Sequence, residues 1–373
     1  HSQLSLIKQR VYGLCLGYED LNDHQQLRLD PALQAAVNRD DTLASQSTLC
    51  RLENRSNRQA MVDIHQIFVN QFIASFKEAP EELILDFDAT DDPTHGQQEH
   101  TFYHGYYRHY CFLPLYVFCG DQLLISYLRP SNKDGAKHSG AILKLLVDAL
   151  RAQWPEVRII FRADGGFCRQ KILSWCERND VFYIVGYTRN SRLSAMIQQK
   201  LKLAEQRCDD TGEKQRDFMD LQYGAKTWTT KRHIIAKLEV TDKGPNPRFI
   251  VTNLPGSAQA LYDTVYCARG DMENRIKEQQ LGLFADRTSA HEWWANQFRL
   301  LLSSLGYILL ESIRRLALKG TELENAQAGT IRLKLLKIGA VILRNTRRIR
   351  FLLSSHYPYQ DLFRSVAARL QSG

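Results

Sequence analysis

Leu83-Ile84-Leu85-Asp86-Phe87-Asp88-Ala89-Thr90 decides how the rest of this chain is read. The apolar run is long enough for one buried strand, and its acidic end falls where a strand gives way to a loop. Side chains alternate across a strand, so Asp86 and Asp88 project from the same face. Asp88, at the strand end with Thr90 two residues on, is the favoured metal ligand. Asp86 is either a second ligand or a buried, hydrogen-bonded support.

Outward from this strand the pattern is α/β. Two further runs, 110–119 and 122–129, flank a Gly120-Asp121 hairpin turn. A helix is predicted over 139–153 and a strand over 157–163, ending in Ala163-Asp164-Gly165-Gly166-Phe167. Helix 168–179 and strand 181–186 follow. A strand, a hairpin, then alternating helix and strand is the order of an RNase H-like sheet. Residues 187–258 break the alternation with polar stretches and β-type runs, and read as a strand-rich insertion. Helix 260–281 comes next and carries Tyr266, Arg269, Glu273 and Lys277. Helix 291–317 has one apolar side and is expected to pack on the sheet.

Two carboxylates at strand ends and a third on a helix can hold two Mg²⁺ ions for phosphodiester chemistry. Asp88, Asp164 and Glu273 fill those three places and read as an RNase H-like nuclease or transposase. The glycines after Asp164 let backbone and substrate approach closely. Tyr266, Arg269 and Glu273 lie on roughly one helix face, which pairs a metal carboxylate with Arg and Tyr for a DNA phosphate. Lys277, one turn further, adds a phosphate contact.

A chain of 373 residues can bury a large core. Its net charge of +8 and pI near 9.0 favour a polyanionic partner. The eight cysteines form no CxxC pair, and their apolar flanks indicate reduced, buried thiols in a cytosolic protein. Neither a signal peptide nor a membrane-spanning apolar run is present, so secretion and membrane insertion are not expected. The chain begins at His1, and a natural segment ahead of it is expected.

The domains expected are a helical DNA-binding or dimerisation domain (1–80), a first part of the core (81–186) and the β-rich insertion (187–258). The second part of the core with the Glu helix (259–320) and a basic C-terminal region (321–373) complete the chain. Residues 331–350 hold seven Lys or Arg and no acidic residue. There Arg344, Arg347 and Arg348 are the expected phosphate contacts, on a hairpin or a broken helix. His95, His100, His104 and His109 match no familiar zinc spacing and read as solvated or DNA-facing. Of Trp228, Trp293 and Trp294, which offer stacking surfaces, the last two read as core.

The matching text, Leu85-Asp-Phe-Asp88-Ala-Thr90-Asp-Asp-Pro-Thr-His95-Gly-Gln-Gln98, Phe161-Arg-Ala-Asp164-Gly-Gly-Phe167 and Tyr266-x2-Arg269-x3-Glu273, resembles the DDE transposases of bacterial insertion sequences. Within them it is similar to insertion-sequence family 1380, in the group with a β-strand insertion. Gly17-Tyr-Glu-Asp-Leu-Asn-Asp23 and Arg28-Leu-Asp-Pro31 extend the resemblance over nearly the whole chain. The group's signature has Lys seven residues after the Glu, where this chain has Gln280.

The resemblance implies an RNase H-like catalytic core, a β-rich insertion and a helical N-terminal domain. It implies two Mg²⁺ ions, with Mn²⁺ as substitute, held by Asp88, Asp164 and Glu273. It also implies cutting of double-stranded DNA at terminal inverted repeats and joining of the 3′-OH ends to target DNA. A homodimer would synapse the two ends in the bacterial cytoplasm, at the nucleoid. Two rival readings stand beside it. Asp86-x-Asp88-x-Thr90 is also the nucleophile motif of haloacid dehalogenase-type phosphatases, with Asp86 attacking and Asp88 as general acid. The other rival is a non-catalytic DNA-binding protein descended from a transposase.

Overall fold

The computed structural model describes residues 1–371. Five strands form the centre: β1 (Glu82–Ala89), β2 (Leu115–Cys119), β3 (Gln122–Tyr127), β4 (Arg158–Ala163) and β5 (Phe182–Tyr187). Their spatial order is β3-β2-β1-β4-β5. β1 pairs antiparallel with β2 and parallel with β4, in the register Asp86↔Arg162 and Asp88↔Tyr116. β4 and β5 are parallel, and β2 and β3 form the hairpin. This is the mixed sheet of an RNase H-like fold.

Alternation explains the two faces. Leu83, Leu85 and Phe87 enter one core with Phe161, Val185 and the helices 139–153 and 170–178. On the other face, Ile160 and Ile184 pack under Leu261 and Tyr262. Farther along that face, Tyr116 and Phe118 join Met272, Ile276 and the long helix Trp293–Ile313. Asp86, Asp88 and Arg162 occupy even positions, as Ile160 does, so the helical segment that carries Glu273 lies across the face they share.

The segment 187–258 differs from its polar reading at its start. It opens with a helix of 21 residues, Ser191–Thr211, capped by the Asn190 side chain and stopped by Gly212 at φ 69°. Only Leu193, Ile197 and Ala204 of this helix are buried, a stripe too narrow to stand out among Lys, Gln and Glu. β6 (Gln215–Tyr223), β7 (Arg232–Thr241) and β8 (Arg248–Thr252) follow. β8 pairs antiparallel with β5, so these strands lengthen the central sheet to nine, the short strand Gly244–Pro245 included.

The run 110–119 is also not one strand. Pro114, which has no amide hydrogen to donate, separates β2 from the strand His109–Phe112. That strand instead joins Phe102–His104 and Asp92–Pro93 in a small three-stranded sheet at the end of β1. Near the C-terminus, Ala340–Arg344 and Ile349–Leu353 form an exposed hairpin, not a broken helix. No helix among the described residues is long and apolar enough to cross a membrane.

Candidate active site

The three carboxylates come from three elements that the fold brings together. Asp88 is the last but one residue of β1, Asp164 follows β4, and Glu273 stands on the helix Gly270–Lys277. Arg269 lies between two of them. Its Nη2 donates to Glu273 Oε1 at 2.8 Å, and its Nη1 approaches Asp88 Oδ2 at 3.4 Å. Asp164 Oδ1 accepts the Gly166 amide at 2.9 Å and thereby fixes the turn after β4. Burial pushes the Asp88 carboxyl up to about 7; Arg269 opposes this, and the charges of Asp164 and Glu273 reinforce it. Burial also raises Tyr266, which therefore keeps its hydroxyl proton and remains a donor.

Behind this cluster lies a second ion pair. Asp86 is 1% exposed, and both of its carboxylate oxygens accept from Arg162, from Nε at 2.5 Å and from Nη2 at 2.7 Å. Arg162 Nη1 also donates to the Val265 carbonyl at 2.6 Å. One guanidinium therefore ties β1 and β4 to the segment before Glu273. Asp86, buried and paired through both oxygens, thus stands as a support behind Asp88, not as an exposed nucleophile.

The helical segment is irregular where it crosses the site. It runs from Ala258 to Gly282 but contains π turns at Leu261–Tyr266 and Glu278–Gly282. Tyr266 packs closely against the strand below. A methyl group at Gly186 would come within 2.7 Å of both the Tyr266 hydroxyl and the Gly165 amide nitrogen. Gly186 is thus required for the Tyr266 side chain to reach the Asp164 turn.

Other residues singled out in the sequence lie elsewhere. Lys277 is exposed, one turn beyond Glu273. Gln280 turns inward: its amide nitrogen donates to the Asp91 carbonyl and to Asp92 Oδ1, both at 3.1 Å. Asp92 is fully buried, and burial pushes its carboxyl well above the usual range. Arg344 pairs with Asp40, while Arg347 and Arg348 form the exposed hairpin turn around Asn345. Trp228 packs on Tyr187 and Tyr223 with Arg232 over its ring, so it is not a free stacking surface. Trp293 meets Phe112 edge to face.

Among the described residues, no three Asp, Glu, His or Cys side chains stand close enough together to hold a metal ion. Asp88, Asp164 and Glu273 are oxygen donors, the kind that a hard divalent cation takes. Arg162 and Gly186 escaped the sequence reading. An arginine inside an apolar strand was the available signal for the first, because it needs a buried partner on the same face.

A family model described as transposase DDE domain group 1 matches residues 1–373. No curated protein matches. Among solved structures, the piggyBac transposase synaptic complex with hairpin DNA matches with a TM-score of 0.49 and 10% identity, over 88% of this chain and 69% of that one.

Proposed function

This chain belongs to the DDE transposases of domain group 1, and we propose that Asp88, Asp164 and Glu273 are the residues with which it cuts DNA. It is a DNA transposase, a DNA-binding enzyme with nuclease and strand-transfer activity, and such enzymes use divalent metal ions. The observation that carries the residue assignment is the convergence of Asp88 and Glu273 on Arg269, with the Asp164 charge felt by Asp88 and Tyr266.

In this reading the three carboxylates hold two Mg²⁺ ions, for which Mn²⁺ substitutes. Ions held there would activate the attacking water or 3′-OH and stabilise the leaving oxygen. Arg269 and Tyr266 grip the phosphate next to the cut, as charge-assisted and neutral donors respectively. Lys277 adds a second positive charge on the same helix face. The substrate is the pair of terminal inverted repeats, synapsed by a homodimer, and the 3′-OH ends are joined to target DNA in the cytoplasm. The text shared with insertion-sequence family 1380 supports that narrower placement. The acid-free hairpin at 340–353, with Arg344, Arg347 and Arg348, supplies sequence-independent phosphate contacts.

The test is cleavage of labelled DNA that carries the repeats flanking the gene, with Mg²⁺ or Mn²⁺, for the wild type and Asp164→Ala. Metal-dependent cuts at the repeat boundary should fall roughly a thousandfold in the variant while binding persists. Equal cutting by the two proteins would remove Asp164 from the site.

A further inference from the structure

The π turn Glu278–Gly282 closes the helix of Glu273, and three successive side chains in it are anchored in three directions. Glu278 Oε1 accepts from Arg314 Nη2 at 2.5 Å and from the Ala328 amide at 2.6 Å. Gln279 is fully buried and donates from Nε2 to Ser304 Oγ, at 2.9 Å, on the long helix Trp293–Ile313. Gln280 donates from Nε2 to the Asp91 carbonyl and to Asp92 Oδ1, both at 3.1 Å. A slide or rotation of this end of the helix would strip a polar group of its partner away from water, which is costly. The end of the helix is therefore clamped, while Glu273, nearer its start, is free to meet a ligand.

Of the three, Gln280 is the one that points back to the segment of the first carboxylate. Asp91 and Asp92 follow Asp88 by three and four residues. Asp92 is itself held in place, fully buried and paired with Phe112 across the small sheet. Glu273 and Gln280 are seven residues apart, about two turns, and so stand on roughly one helix face. That face meets the chain around Asp88 at two points. Near its start Arg269 bridges Glu273 and Asp88, and at its end Gln280 reaches Asp91 and Asp92. The residue type fits this place. Lysine, the residue of the group's signature, would set a charge against a buried carboxyl, whereas an amide brings none, and burial favours the uncharged form of Asp92.

We propose that Gln280 is a positioning residue whose two hydrogen bonds, to Asp91 and Asp92, set the spacing between Glu273 and Asp88. This rests on the reading of Asp88 and Glu273 as part of the active site. The side chain ends on Asp92 and does not touch DNA. An internal strut thus stands where a lysine would contact a phosphate, and the grip on DNA is left to other residues. Misplacing one carboxylate against the other by about 1 Å is enough to lose most of the rate.

The test is a mutant cycle in the full chain with three readouts. These are single-turnover cleavage of saturating repeat-end duplex with Mn²⁺, duplex affinity in EDTA, and amide hydrogen exchange. Gln280→Leu and Asp92→Leu should each slow cleavage about a hundredfold. The double variant should fall no further, because the two side chains act as one contact. Asp92→Asn keeps an acceptor oxygen and should cut like the wild type. Duplex affinity should change by less than about twofold in every variant. Exchange should quicken in residues 88–94 and 270–282 together in the leucine variants, and not elsewhere. Wild-type cleavage by Gln280→Leu overturns the strut, and so do additive losses in the double variant or a loss in Asp92→Asn equal to that in Asp92→Leu. A tenfold fall in duplex affinity would make Gln280 a DNA contact, and faster exchange over the whole chain would make it a general stabiliser; either overturns the proposal. Glu273→Gln, assayed alongside, tells the two readings apart. If it is inactive while Gln280→Leu cuts normally, the strut alone fails; if it cuts like the wild type, the carboxylate assignment fails and the strut falls with it.

Discussion

Asp86 and Asp88 stand two residues apart on one strand, on one face, and each meets an arginine, yet the two pairs are built for different ends. The inner pair is closed: Asp86 and Arg162 are buried and matched bidentately, and the remaining guanidinium nitrogen is spent on a backbone carbonyl. The outer pair is open. Arg269 is shared between Asp88 and Glu273, its longer contact is 3.4 Å, and Asp88 retains capacity for another partner. Two residues of strand therefore separate a fixture from an exchangeable contact. Burial and stoichiometry set the difference, because the residue types are the same.

The largest effect that would break this comparison lies in the inner pair. Arg162→Met leaves a buried carboxylate unpaired and should destabilise the chain by about 3–5 kcal/mol in urea unfolding. The double variant Asp86→Leu/Arg162→Met should recover most of that loss. If the single variant is as stable as the wild type, the inner pair is not a fixture.

A smaller effect is expected at the outer pair. Arg269→Gln should leave stability nearly unchanged and raise Mn²⁺ affinity of the DNA-free chain about tenfold, because a competing positive charge is gone. Calorimetry at pH 8, where Asp88 is ionised, reads this directly. DNA cleavage should fall in the same variant, since the phosphate contact is lost with the charge.

An effect of similar size sharpens the comparison through pH. With its carboxyl raised to about 7, Asp88 holds a proton below that pH, and a cation must displace it. Mn²⁺ affinity should therefore rise as pH increases through 7 and level off above it, about tenfold stronger at pH 8 than at pH 6. A flat profile over that range would mean that Asp88 is already ionised.

Much of this arrangement was legible in the sequence. The two apolar runs that end in Asp88 and Asp164 were readable because strands buried on both faces are nearly continuous in hydrophobic residues. The Arg269-Glu273 spacing was readable because four residues make one helical turn. The break at Pro114 was masked by apolar residues on both sides of it. The helix Ser191–Thr211 was masked because three buried residues in twenty-one give almost no periodic signal. Long-range pairing was invisible for a different reason: nothing local to Arg162 names Val265 as its acceptor, and nothing local to Gln280 says that it turns toward Asp92.

The long excursion between β5 and the helix of Glu273 also has a temporal side. On the ribosome, Asp88 and Asp164 emerge well before Glu273, with the strands β6 to β8 made in between. At ~5–20 residues per second that delay is on the order of ten seconds. Through that interval the nascent chain lacks the third carboxylate of the proposed triad. A chain stopped before that point would hold Asp88 and Asp164 without Glu273. The insertion thus delays the last carboxylate of the proposed triad until late in synthesis.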